Sequence, residues 1–161
     1  MSMKMTGAYV LAADRQTVWS KLNDAAVLKA CIPGCQELEK QSDTQFSARA
    51  KVKIGPVSAT FKGKVQLTDL DPPNSYRIVG EGEGGVAGFA KGGALVSLSP
   101  HASGTKLVYD VDAMIGGKIA QLGARLINAA SKKFADEFFA NLADVIGRAE
   151  RDGANLTDCA G

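Results

Sequence analysis

The segment from residue 117 to residue 148 constrains the fold of this chain more than any other part of its sequence. It contains no proline, is rich in alanine, and its large apolar residues recur at steps of three or four residues or at multiples of these steps. This periodicity predicts one helix of roughly thirty residues, well above the average helix length of about 11 or 12 residues. Because helices in proteins are stabilised mainly by packing one face, a helix of this length needs an extended apolar partner.

The first part of the chain predicts one strand followed by two short helices. Residues 6–12 are β-prone, and Asp14 is a suitable N-cap for a helix over residues 15–23. A second short helix is predicted over residues 25–30, because Pro33 and the glycine after it stop helical geometry.

From residue 36 onward the pattern changes to the alternation of half-buried strands. Apolar and polar residues alternate over 46–54 and again over 57–67, with Gly55-Pro56 as the turn of a hairpin. Further strands are predicted over 76–84, 90–99 and 105–113. This order of elements favours a single α+β domain, residues 1–150, in which an antiparallel sheet wraps around the long helix. The polar residues 151–161 are expected to form a flexible tail.

Composition and charge exclude several classes of protein. The net charge is only +2, which gives no support for a nucleic-acid partner. No apolar run reaches the ~18 residues of a membrane span, and the N-terminus lacks the pattern of a signal peptide. We therefore expect a cytoplasmic protein.

The residues that carry most enzyme chemistry are scarce. The one histidine, His101, lies in a predicted turn, and Cys31 and Cys35 have the wrong spacing for a zinc knuckle. Asp110 and Asp112 alternate with apolar residues and are expected to face solvent. We predict no catalytic residue, no metal site and no cofactor.

The predicted inner face of the sheet carries unusually small side chains. Its expected members are alanine and glycine: Ala48, Ala50, Ala59, Gly63, Ala94 and Ala113. The space above them must be filled either by a ligand or by large side chains, with Trp19, Phe46, Phe61, Tyr76, Phe134 and Phe138 as the candidates. No charged residue falls on an inward position, so any ligand is predicted to be lipophilic.

The hairpin also carries a basic face. Its two-residue turn would place Arg49 opposite Lys62 and Lys51 opposite Thr60. Two interpretations stay open: Glu81 and Glu83 neutralise this face, or Arg49, Lys51 and Lys62 bind an acidic partner or anionic lipid headgroups.

Several sequence blocks resemble one family. They are VLAADRQTVWSKLND, LKACIPGCQEL, GPVSATFKGKVQL, GEGEGGVAGFAKGGALVSL, GTKLVYDVD and GGKIAQLGARLI. Together they resemble the CoxG family of carbon monoxide dehydrogenase subunits, over residues 5–147. The Cys-Ile-Pro-Gly-Cys block at residues 31–35 is the most specific part of this resemblance.

The resemblance implies a START-like, helix-grip fold with a hydrophobic cavity between the sheet and the long helix. It also implies an accessory role beside molybdenum-containing carbon monoxide dehydrogenases and related hydroxylases, which includes handling a quinone or other lipid and recruiting the enzyme to the cytoplasmic membrane. Anchoring members carry an apolar C-terminal extension, whereas the residues after Arg148 are polar. We therefore expect soluble carriage of a ligand, or reversible contact with the inner face of the membrane.

The predicted ligand contacts are apolar residues on the sheet, the short helices and the long helix. They are Trp19, Leu28, Ile32, Pro33, Phe61, Phe89, Leu95, Met114, Leu122, Leu126 and Phe134. The mouth of the cavity is predicted at residues 32–34 and 84–88.

Overall fold

The computed structural model describes residues 1–160, with side chains described for residues 1–147. The predicted tail, residues 151–161, lies outside the residues that are described in full. The strands are β1 (Ser2–Leu11), β2 (Cys35–Ser42), β3 (Gln45–Ile54), β4 (Val57–Asp71), β5 (Ser75–Glu83), β6 (Phe89–His101) and β7 (Gly104–Gly116). The helices are α1 (Arg15–Leu22), α2 (Ala25–Cys31), α3 (Lys118–Gln121) and α4 (Ala124–Ala160), and a 3-10 turn lies at Gly85–Ala87.

The described strands form one antiparallel sheet of seven strands in the order β1-β7-β6-β5-β4-β3-β2. Helix α4 packs against α1, α2 and the inner face of the sheet. The fold is therefore the predicted α+β arrangement, in which one sheet wraps around a long C-terminal helix.

The two short helices begin where the sequence predicts. Asp14 caps α1 by accepting a hydrogen bond from the backbone N–H of Thr17 at 2.8 Å. Asp24 caps α2 by accepting from the backbone N–H of Ala26 at 2.9 Å. Both caps satisfy amide groups that a helix start leaves without a partner.

The prediction of one uninterrupted helix from residue 117 is wrong at its start. Helix α3 ends at Gln121, and the chain turns at Gly123, which has a φ of +91°, before α4 begins. Glycine adopts this backbone region at little cost, so it ends one helix and lets the next start in a new direction.

The two parts of the helical segment pack against different apolar clusters. Ile119 and Ile127 belong to a cluster with Met3 and Ile115. Leu142 and Ile146 belong to a larger cluster that includes Val18 and Leu107. Helix α4 thus spans both halves of the core.

A side-chain hydrogen bond from Asn141 Nδ2 to the backbone oxygen of Cys31, at 2.9 Å, joins helix α4 to the end of α2. Asn141→Ala is expected to lower the free energy of unfolding by about 1 kcal/mol, because this hydrogen bond between the two helices is lost. Urea unfolding would measure the change. Asn128→Ala is the control, since Asn128 lies exposed on the same helix; equal losses for the two variants would contradict the prediction.

Candidate functional site

The middle of the inner face of the sheet is built from small residues. One row across β3, β4, β5 and β6 pairs Ala48, Gly63, Gly82 and Ala90 in register. A second row across β5, β6 and β7 pairs Gly80, Gly92 and Ala113. The predicted placement of Ala48, Gly63 and Ala113 on one face is therefore correct, and the sheet leaves space beneath α4.

This space is a cavity of about 820 Å³ between the sheet and helix α4. Its size falls in the range of about 300–1,000 Å³ that is typical of small-molecule sites. Its lining is mainly apolar and comes from both core clusters, including Leu22, Phe46, Leu67, Ile78, Val96, Leu107, Val111, Ile115, Ile119 and Ile127. Of the large side chains that were candidates to fill the space, Phe46, Phe61, Tyr76, Phe134 and Phe138 form part of its walls instead, and Trp19 does not line it.

The exposed members of the lining mark where the cavity opens. They are Gly34, Lys51, Lys53, Lys133, Phe134 and Glu137. The opening therefore lies between the α2–β2 loop, the end of strand β3 and the middle of helix α4. Residues 32–34 belong to this opening, as predicted, whereas the Gly84–Gly88 loop does not line the cavity.

One side of the opening is tied to a neighbouring strand, and the other side carries a charged pair within α4. The backbone N–H of Lys51 donates to the carbonyl oxygen of Gly34 at 2.9 Å, which fixes the α2–β2 loop to β3. Lys133 and Glu137 lie one helical turn apart on α4 with 3.9 Å between Nζ and Oε1. The rim is therefore polar, and Phe134 is 42% exposed between these charged side chains.

The opposite end of the cavity is closed by Tyr76 on β5 and by Tyr109 on β7. Tyr76 is 3% exposed, and the Trp19 ring contacts it edge-on with centroids 5.1 Å apart. Burial alone raises the pKa of the Tyr76 hydroxyl, so this group is a hydrogen-bond donor at ordinary pH.

The hydroxyl of Tyr109 faces away from the cavity, toward Gly7 and Tyr9. Tyr9 donates a hydrogen bond to Asp136 Oδ1, and Asp136 Oδ2 lies 3.3 Å from Lys132 Nζ. Hydrogen bonding with Tyr9 is the main cause that lowers the pKa of Asp136, an exposed residue. This polar group closes the side of the fold between β1 and α4.

Five of the predicted ligand contacts are brought together by the fold. Leu28, Ile32, Pro33, Phe61 and Phe134 all line the cavity. Their role in binding stays a prediction.

The other six predicted contacts do not line the cavity. Leu95 and Met114 lie on the outer face, 39% and 48% exposed, because side chains alternate along a strand and their neighbours Ala94 and Ala113 point inward. Trp19 packs behind Tyr76. Phe89 is 43% exposed beside Gly116, and Leu122 follows the end of α3.

Leu126 contacts the β3–β4 turn at Gly55 instead of facing the cavity. The helix break at Gly123 changes the phase of α4, so Ile127 faces the cavity in place of Leu126. Sequence reasoning also missed Ala90 and Ala130, whose small size gave no apolar signal.

The basic residues that were predicted to form one surface have different surroundings in the structure. Arg49 forms an ion pair with Glu37 at 2.8 Å, and Lys62 pairs in register with Glu83 across β4 and β5. Lys51 lies at the cavity opening. Arg49, Lys51 and Lys62 therefore do not form one uniform patch, although Arg49 is opposite Lys62 as predicted.

The side chains considered for catalysis lie away from the cavity. His101 is exposed at the end of β6, where its Nδ1 accepts a hydrogen bond from the backbone N–H of Ser103 at 3.0 Å. Asp110 and Asp112 are exposed on the outer face. Within the described residues, no group of three or more metal-ligating side chains comes together. None of the described helices combines the length and the apolar character that a bilayer span requires.

The model of one protein family, the CoxG family of carbon monoxide dehydrogenase subunits, matches residues 7–147 of the sequence. The chain belongs to the CoxG family. A conserved protein from Geobacillus kaustophilus is 30% identical, with a TM-score of 0.86 over 91% of this chain and 97% of that one. The sequence resemblance to CoxG is thereby confirmed.

More distant solved structures share the fold of this CoxG protein. The Zhui aromatase/cyclase from Streptomyces sp. R1128 is 16% identical, with a TM-score of 0.66 over 94% of this chain and 95% of that one. A putative uncharacterised protein from Rhizobium leguminosarum is 15% identical, with a TM-score of 0.67 over 92% of this chain and 96% of that one. These likenesses confirm the START-like, helix-grip fold. A search of curated proteins finds no match to the sequence.

Proposed function

We propose that this CoxG family member is a non-catalytic accessory protein of a molybdenum-containing hydroxylase of the carbon monoxide dehydrogenase type. In this proposal it carries a quinone, or another apolar small molecule, in the cavity between the sheet and α4. The observation that carries the proposal is the cavity of about 820 Å³ with its mainly apolar lining. The family supports the association with a carbon monoxide dehydrogenase.

The physical basis of binding would be the hydrophobic effect. A ligand that buries on the order of 300 Å² of apolar surface gains roughly 7 kcal/mol before the costs of association, at about 25 cal/mol per Å². Such a ligand is poorly soluble in water, so a protein that encloses it allows it to move between a membrane and an enzyme. Reversible contact with the inner face of the cytoplasmic membrane is part of this proposal.

Two alternatives have less support. A ligand-free assembly factor would dock through its surface, but Arg49 and Lys62 each have an acidic neighbour on an adjacent strand. An enzyme of the cyclase kind would need an acid or a base next to its substrate. Of the charged side chains that line the described cavity, all lie at its exposed opening, where Lys133 and Glu137 are paired.

Native mass spectrometry of protein purified from a host that makes quinones tests the proposal. The expected result is a protein–ligand mass that disappears on denaturation, with one quinone or other isoprenoid per chain in the extract. A ligand-free mass, together with no uptake of added quinone, would reject the carrier function and favour the assembly factor.

A further inference from the structure

The size of the inward side chains changes along the strands. At one end, Tyr76, Val96 and Tyr109 form a row of larger side chains across β5, β6 and β7. Six residues farther along β5, Gly82 pairs with Gly63 and Ala90, so three neighbouring strands carry small inward residues there. Six residues of a strand span about 20 Å, so the lining is long enough for an elongated ligand.

Tyr76 lines the closed end of the cavity, and its hydroxyl has no hydrogen-bond partner among the described residues. Desolvation is the only influence on the pKa of this hydroxyl. Buried tyrosine hydroxyls usually have a partner. Among the described residues, the Tyr76 hydroxyl is not one of the fully enclosed polar atoms without a partner, so it keeps access to a water-sized space, which the cavity provides. By contrast, the buried hydroxyl of Thr105 donates to the backbone oxygen of Ala13 at 2.7 Å.

The other polar side chains of the lining lie at the opening or point away from the cavity. Lys51, Lys53, Lys133 and Glu137 are exposed at the opening, and Ser131 lies beside them on α4. The Tyr109 hydroxyl faces Gly7 and Tyr9. Among the described residues, Tyr76 is therefore the polar group available to a ligand at the closed end.

We infer that the ligand enters with a hydrogen-bond acceptor foremost, such as a quinone carbonyl, and that the Tyr76 hydroxyl donates to this acceptor while the rest of an elongated apolar molecule extends toward the opening. This inference rests on the proposed function and adds the orientation of the ligand and the side chain that recognises its acceptor. Trp19, which contacts the Tyr76 ring edge-on, is a positioning residue in this arrangement.

The test compares two probes that differ only in the acceptor: a prenylated 1,4-naphthoquinone and the naphthalene hydrocarbon with the same prenyl chain. Tyr76→Phe removes one hydroxyl and keeps the ring. It is expected to weaken naphthoquinone binding roughly five- to tenfold, the effect of one hydrogen bond, and to leave hydrocarbon binding unchanged. In the wild-type complex, the infrared carbonyl stretch of the bound naphthoquinone should lie at lower frequency than in the Tyr76→Phe complex.

Tyr9→Phe is the matched control, because it removes a tyrosine hydroxyl that is bonded to Asp136 outside the cavity. It should leave the binding of both probes unchanged. Tyr76→Phe should not reduce stability, since it removes a hydroxyl that has no protein partner.

The possible outcomes distinguish the role of Tyr76 from the carrier function. If Tyr76→Phe binds both probes like the wild type, or weakens both equally, the role of Tyr76 is overturned and the carrier function stands. If the wild-type protein binds neither probe, the carrier function fails, and the inference about Tyr76 fails with it.

Discussion

Ala94→Trp is expected to weaken quinone binding roughly 60-fold, whereas Leu95→Trp leaves it unchanged. Ala94 lies on the inner face of β6 and lines the cavity, while Leu95 points outward. An indole group at position 94 would displace on the order of 100 Å² of ligand contact, worth about 2.5 kcal/mol or roughly 60-fold in affinity. Titration with a short-chain quinone, monitored by tryptophan fluorescence or calorimetry, would measure the affinity of each variant.

The comparison is controlled within one strand, because both variants introduce the same residue at adjacent positions. Circular dichroism should confirm that both variants are folded. If the two variants bind quinone equally well, the ligand does not occupy this cavity.

Gly88→Ala is expected to lower the free energy of unfolding by about 3 kcal/mol or more. Gly88 has a φ of +121° and a ψ of −157°, a backbone region that is essentially limited to glycine. A Cβ atom at this position would also overlap the carbonyl oxygen of Gly116, which precedes α3. The substitution therefore strains the loop itself and separates it from the junction between β7 and α3. Urea unfolding would measure the loss.

Gly85→Ala in the same loop is the control for this prediction. Gly85 also has a positive φ, +61°, but a Cβ atom there would meet nothing within 4 Å. Its cost should be limited to the left-handed conformation, about 1 kcal/mol. Equal losses at the two positions would show that the close approach to Gly116 does not contribute to stability.

The sequence was most informative where a short turn fixes the pairing of two strands. The two-residue turn at Gly55-Pro56 placed Arg49 opposite Lys62 and Lys51 opposite Thr60, and the structure has this register. Alternation then identified the inward residues of this hairpin, including Ala48. The antiparallel sheet and its long helix could be predicted for the same reason, since both depend on local periodicity.

The prediction of the cavity walls was less accurate, because wall residues were chosen for their large apolar side chains even where the alternation of the strand places them on the outer face. Leu95 and Met114 are apolar but lie on the outer face, where exposed apolar residues are common. The break at Gly123 was also missed, since a single glycine is compatible with a helical pattern. Because α4 starts anew after this break, its inward face is shifted by one residue, and Ile127 lines the cavity where Leu126 was predicted.

The property of Tyr76 that matters most could not be derived from sequence. Its inward position follows from alternation, and it was considered as a side chain that fills the core. Its lack of a hydrogen-bond partner depends on residues from α1, β6 and β7 that surround it in space. Local patterns carry no information about which polar groups such an assembly leaves unpaired.

The charged outer face bears on how the glycine-rich strands find their correct neighbours during folding. Strand β5 ends with glycine at its inward positions, so burial of apolar side chains specifies its alignment only weakly there. The outward residues supply the missing information, because Lys64 lies opposite Glu81, and Glu81 lies opposite Lys91. A shift of the pairing by one residue would place these charged side chains on the inner, apolar face of the sheet. The residues that leave room for a ligand are thus protected against mispairing by the charges behind them.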